Sequence, residues 1–243
     1  MRIICTILIL IIIPSCSKDC NKNSMISKRS SVVTIIDIAS DDRGKIYECI
    51  RELKQHKPAV IALDIFFSEE KKSVYDSLLH SVINDDAIVA SLHLTKKYSI
   101  DSPQFSGTRM SLALPIFHID ENNDYFWSPS YIVNGTNYKQ FAFNAALAYS
   151  NRVVFEKFRL GSEDMTKEYA VDFERTIDKY EVIPFNSMGD LNDARLNGKI
   201  TLVGSLSDKS DMFNTPLNFC DSATGKTPGI LIHANIISDI LER

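Results

Sequence analysis

One tryptophan, nine glycines and eight prolines in 243 residues leave no collagen-like or low-complexity composition. Neither sign of charge is in marked excess: 27 Lys and Arg stand against 31 Asp and Glu, a net of −4 without long like-charge blocks. The basic footprint that neutralises phosphates is therefore missing, and nucleic acid is not an expected partner. The five cysteines form no C-x-x-C pair, and the five histidines fall into no H-E-x-x-H or similar spacing. Neither structural zinc nor zinc hydrolase chemistry is expected, and no cofactor is implied. What is present is ordinary globular material, 44% hydrophobic and 24% charged, enough for one large domain or two small ones with a core that needs no staples.

Arg2 precedes the apolar run Ile3–Ile13, which is too short to cross a bilayer and fits the apolar part of a secretory signal. The following Ile13-Pro14-Ser15-Cys16 resembles the bacterial lipobox, with an aliphatic residue three places before the cysteine and a small residue just before it. The proline between them departs from that pattern. Ser17-Lys18-Asp19 resembles the short export signals of some surface lipoproteins of Gram-negative bacteria. The expectation is a leader over 1–15, a diacylglycerol on Cys16 that anchors the protein to a membrane, and a polar tether over 16–31 through Asn21-Lys22-Asn23-Ser24. Cys20, Cys49 and Cys220 then remain, an odd number that cannot all pair internally. Cys49 lies on a helical apolar face and reads as a buried thiol. No later run reaches about eighteen apolar residues, so no second crossing is expected.

From residue 32 the pattern alternates strand and helix. Val32–Ile38, Ala59–Asp64 and Ala87–Ser91 are nearly continuous apolar runs, as strands covered on both faces require. Between them, Ile46, Cys49, Ile50 and Leu53 recur at helical spacing up to Lys57-Pro58, and Val74, Leu78 and Val82 with Leu79 and Ile83 do the same. The fold class is α/β: a mostly parallel central sheet with helices on both faces and right-handed crossovers. Residues 95–137 read as a long excursion or hairpin insertion with short strands at Met110–Leu114 and Tyr131–Val133. A buried helix follows over Lys139–Tyr149. Tyr169–Phe173 and Tyr180–Ile183 are expected as antiparallel strands of a small subsheet, Lys199–Gly204 as a buried parallel strand, and Ile230–Leu241 as the closing helix. No solenoid-period repeat is visible.

Ligands of an open parallel sheet bind outside the carboxyl ends of its strands. Asp37 lies late in the first strand and Asp64 ends the second, while the last strand runs into Gly204-Ser205-Leu206-Ser207-Asp208-Lys209-Ser210-Asp211. Asp37, Asp64 and Asp211, with Ser205 and Ser207, would form one acidic crevice suited to a cation such as Mg²⁺ or Ca²⁺, or to a multi-hydroxyl ligand. Each of these residues also has an ordinary structural use as a cap or turn former. His233 admits two uses, a hydrogen-bonded latch on the Asp211 loop or a ligand contact. Cys220–Thr227 imitates the end of a Walker A loop, but Cys stands in place of the first Gly and neither the strand nor the helix of that motif flanks it. Gly204–Asp208 is not a G-x-S-x-G elbow. The aromatic triplet Tyr125-Phe126-Trp127 is either an exposed binding patch or buried over the sheet edge.

Several blocks together resemble the CHASE domain of type two, a sensory extracellular module associated with cyclases and histidine kinases. They are Lys57–Phe67, Leu196–Gly204, the D-x-F-x-T-P-L loop at Asp211–Leu217, and the P-G-x-x-I-H-A-N start of the last helix at Pro228–Asn235. The resemblance spans 32–241 and implies one sensory domain that binds a small ligand and signals through an output module. Its pattern falls on Asp64, Gly204, Asp211, Pro216, Pro228, Gly229, His233, Ala234 and Asn235. Asp120–Phe126 departs from the family's D-x-D-G-x-x-R stretch, lacking its Gly and Arg. Family members also continue into transmembrane helices and an output domain, whereas this sequence stops at Arg243.

The expected function is thus a non-enzymatic, lipid-anchored sensory module on the periplasmic side or cell surface, binding an unidentified small ligand and acting through a membrane-protein signalling partner. Two alternatives stand beside it: a small-substrate hydrolase or lyase using Asp37, Asp64 and Asp211, and a truncated sensor with no output. Shifted carboxylate pKa values in tight mutual geometry favour catalysis, and scattered solvent-facing acids favour binding or structure.

Overall fold

A computed structural model describes residue 30 and residues 32–242 apart from 68–73, 96, 98, 102–104, 106, 154–164, 166, 174, 176 and 216–225. The leader, Cys16, Cys20, most of the tether and Cys220–Gly225 of the Walker-like stretch lie outside the described residues.

The first half carries β1 (Val33–Asp37), α1 (Arg43–Gln55), β2 (Val60–Leu63), α2 (Val74–Ile83), β3 (Ile88–Ser91) and β4 (Ser111–Ala113). Short strands follow, β5 (His118–Ile119), β6 (Tyr125–Trp127), β7 (Ser130–Val133) and β8 (Thr136–Lys139), then α3 (Phe141–Arg152) and β9 (Tyr169–Ala170). The last third adds β10 (Glu181–Pro184), α4 (Asp193–Leu196), β11 (Ile200–Gly204), β12 (Met212–Phe213), β13 (Thr227–Pro228) and α5 (Gly229–Glu242).

Six strands form one all-parallel sheet in the order β10-β1-β11-β2-β3-β4. Alternation along each strand divides the core. Val33, Ile35, Val60, Ala62, Ile200 and Leu202 face α3 and α5, while Ile36, Ile61, Leu63, Ile88 and Val203 face α1 and α2. The α/β sandwich expected from the apolar runs is therefore present. Asp42 caps α1 by accepting the Lys45 N–H at 2.9 Å, and the helix buries Ile46, Cys49, Ile50 and Leu53. Burial pushes the Cys49 thiol up to about 12, so it is an inert core thiol.

Two sequence expectations are corrected. The strand expected at Tyr180–Ile183 is β10, which pairs in parallel with β1 at the sheet edge and belongs to no antiparallel subsheet. The Met110–Leu114 segment is likewise no part of an insertion hairpin: as β4 it closes the opposite edge in parallel with β3. Edge strands are half exposed, so their polar alternation imitates an antiparallel strand. The insertion that does exist holds the β7–β8 hairpin, turned by Asn134-Gly135, both with positive φ. Its strands β5 and β6 also form a three-stranded sheet with β9, which follows α3. Trp127 is buried within that small sheet, stacked on Tyr169 at 5.1 Å, and is not a surface patch.

Candidate functional site

β11 lies between β1 and β2, so three central strands end side by side and their outgoing loops enclose a cavity of about 650 Å³. The loop after β1 contributes Ser40 and Asp41, and the segment after β2 contributes Asp64 and Phe66. Ser205, Ser207, Asp208 and Asp211 come from the loop after β11. Phe117 and Phe213 form an apolar side, and His233 of α5 completes the wall.

Asp64 is held at both ends. Its N–H donates to the Val203 carbonyl at 2.8 Å, and its carboxylate accepts the Ser91 hydroxyl at 3.1 Å. Asp211 approaches from the other side. It accepts the N–H of Gly229, the first residue of α5, so a carboxylate sits where the helix N-terminus favours negative charge. A Cβ at position 229 would lie 2.5 and 2.6 Å from the two carboxylate oxygens, so the contact requires glycine. The β12–β13 pair, Met212 opposite Pro228 and Phe213 opposite Thr227, binds the Asp211 loop to the entrance of the same helix. Burial, reinforced by the like charges of Asp64 and Asp208, raises the Asp211 carboxyl to about 7 against the pull of the Gly229 N–H.

The other residues separate into wall and frame. Asp37 is frame: its Oδ1 accepts the Leu206 N–H at 3.0 Å and it does not line the cavity, so the three-acid crevice does not form. The Ser205 hydroxyl accepts the N–H groups of Ser207 and Asp208, and Asp208 accepts the N–H and hydroxyl of Ser210, which holds it below the usual carboxylate range. Ser205 and Asp208 thus shape the turn as well as line the cavity. Among the described residues no group of three or more His, Cys, Asp or Glu side chains is placed to hold a metal ion.

His233 does not latch the Asp211 loop by a hydrogen bond; that bond is made by the Gly229 backbone. The imidazole is 2% exposed, packed edge-on against Phe141 at 5.1 Å and Phe117 at 6.0 Å, and its Nδ1 has no partner among the described residues. Burial keeps the ring neutral by lowering its pKa, although the Asp64 charge acts in the opposite direction.

Sequence reasoning missed Ser40, Asp41, Phe66, Phe117 and Phe213. Ser40 and Asp41 carried a usable signal, since they follow a buried strand just as Asp64 does. Asp41 also acts on Arg43, which is buried in the first turn of α1 with its guanidinium 4.8 Å from the Phe67 ring centroid. Phe213 stands in the Asp211–Leu217 loop already singled out, whereas Phe117 carried no signal, because only the fold brings it to the cavity.

A family model described as the CHASE2 domain matches residues 28–243. No curated protein and no solved structure gives a significant match. No helix among the described residues is long and apolar enough to cross a membrane.

Proposed function

Because the chain belongs to the CHASE2 family of extracellular sensory domains, we propose that it is an extracytoplasmic module that reads a small ligand in the cavity above β1, β11 and β2. In this reading it is anchored by a lipid on Cys16 and passes its state to a membrane-protein partner. The supporting observation is the bond from Gly229 to Asp211, which joins the cavity wall to the first residue of α5. A ligand that changes the position or protonation of Asp211 acts directly on that helix. It biases signalling only as far as it binds one arrangement better than the other.

One observation favours a second reading. A carboxyl raised to about 7 beside a second acid suits general acid or base chemistry. The three-residue acid set expected of an enzyme is nevertheless incomplete, since Asp37 is engaged by Leu206 outside the cavity.

A thermal-shift screen of small metabolites against the full chain tests the sensory reading, because a binder raises the melting temperature by mass action. The shift should vanish in Asp64→Asn. A shift that persists puts the ligand elsewhere and overturns the reading, and conversion of a binder to product would establish the second one. For the anchor, an alkyne fatty acid fed to expressing cells should tag the wild-type chain and leave Cys16→Ser untagged. Equal tagging of the two would remove Cys16 as the acylated residue.

A further inference from the structure

The cavity's wall is chemically one-sided. Among the described residues it carries four carboxylates, Asp41, Asp64, Asp208 and Asp211, and neither Lys nor Arg. Asp41 shares its charge with Arg43, whereas Asp64, Asp208 and Asp211 make no ion pair with any described residue. Such a wall repels phosphates and carboxylates and attracts cations. A bare metal ion fits poorly, since no cluster of three or more metal-ligating side chains is assembled among the described residues. The volume of about 650 Å³ also matches an organic ligand.

Aromatic rings line the same cavity. Phe117 and Phe213 meet edge to face with centroids 4.9 Å apart, and Phe66 stands half exposed at the rim. Rings and carboxylates in one cavity suit a weakly hydrated cation with an apolar body, whose charge is attracted to both. His233 adds a neutral imidazole edge to the same wall. It is almost wholly buried in the wall, and its Nδ1 lacks any partner among the described residues.

We propose that the cavity takes a small organic ammonium ion, its charge held between Asp64 and Asp211 and its methyl or methylene groups against Phe117 and Phe213. The assignment rests on the reading of this cavity as the sensory site and adds the class of ligand. Asp211 is then the residue through which the ligand acts on α5: the cation competes with the Gly229 N–H for the same carboxylate.

The test uses the full chain and two readouts, thermal shift and calorimetric titration, with tetramethylammonium, choline and putrescine as probes. The controls are sodium chloride at equal ionic strength, 3,3-dimethylbutan-1-ol as the uncharged counterpart of choline, calcium chloride and glucose. At least one ammonium ion should raise the melting temperature by several degrees at about a hundred times its Kd. The alcohol should not, and Asp64→Asn should reduce the affinity at least tenfold. The comparison of choline with the alcohol needs only wild-type protein, so the proposal stands or falls even where Asp64→Asn does not fold. An equal response to the alcohol overturns it. Asp64-dependent binding of calcium or glucose, with none of the ammonium ions bound, overturns the ligand class and leaves the sensory site standing. If no probe binds in an Asp64-dependent way, the ligand class is overturned, and the sensory reading is then decided by the wider metabolite screen.

Discussion

Gly229→Ala should lower the melting temperature by roughly 5–10 °C, corresponding to about 2–3 kcal/mol for a chain of this size. The added methyl would stand 2.5–2.6 Å from both carboxylate oxygens of Asp211, so one of the two groups has to leave. Asp211 has the shorter path, and its departure removes the anion at the α5 N-terminus and strains the β12–β13 pair that carries the loop. The cause is separable from any general intolerance of alanine at the helix start. In an Asp211→Ala background the obstructing oxygens are gone, and Gly229→Ala should then cost almost nothing. Thermal melts of the two single variants and the double variant make the measurement. A Gly229→Ala penalty of the same size in both backgrounds would show that the carboxylate is not the obstacle.

Asp211→Asn should change the pH dependence of stability more than its value at any single pH. The Asp211 carboxyl rises from 3.8 to about 7 on folding, so between those values the folded chain holds a proton that the unfolded chain has released. The resulting stabilisation is fully present below 3.8 and is lost as pH rises towards 7, a difference on the order of 2 kcal/mol once solvent access to the cavity is allowed for. Asparagine keeps an acceptor for the Gly229 N–H and carries no charge. Relative to wild type, the variant should therefore gain stability between pH 4 and pH 8. His233 slopes the other way: its pKa falls on folding, so its contribution is present above 6.5 and is lost as pH falls below that value. In wild type the two slopes oppose each other just below pH 6.5, and the variant should lose the Asp211 slope while keeping that of the histidine. Denaturant melts of both proteins at pH 4, 6 and 8 read this directly. Parallel curves would mean that Asp211 titrates normally in the folded chain.

The parts of the fold legible in the sequence are those whose pattern comes from burial on two sides. β1, β2, β3 and β11 appear as unbroken apolar runs, and α1 and α2 as helical stripes, because the same covered positions define both pattern and structure. Strand direction at the edges was not legible. β10 reads Glu181-Val182-Ile183-Pro184, and its parallel partnership with β1 depends on where a neighbour lies rather than on its own composition.

The candidate site was legible as far as strand ends reveal it. Asp64, Ser205, Ser207, Asp211 and His233 line one cavity, although what binds there is an inference from chemistry. Asp37 marks the limit of such reasoning. A carboxylate late in a strand serves the cavity or the neighbouring backbone according to which way its side chain points, and here it accepts the Leu206 N–H. The aromatic lining stayed invisible for a different reason: Phe117 is far in sequence from every acid of the cavity, and Phe213, though two residues after Asp211, gives no sign in the sequence of which way its ring points.

The position of β11 bears on how the protein comes into being. β1 and β2 are not paired; each is hydrogen-bonded to β11, with Thr34 opposite Thr201 and Ala62 opposite Leu202. The middle of the sheet therefore has to wait for residues synthesised more than a hundred positions later, a high contact order that slows closure. During that wait the oily strands 33–37 and 60–63 lack the partner that separates them. A chain exported through a membrane before folding meets this interval outside the cell, where holding it unfolded falls to whatever chaperones that compartment provides.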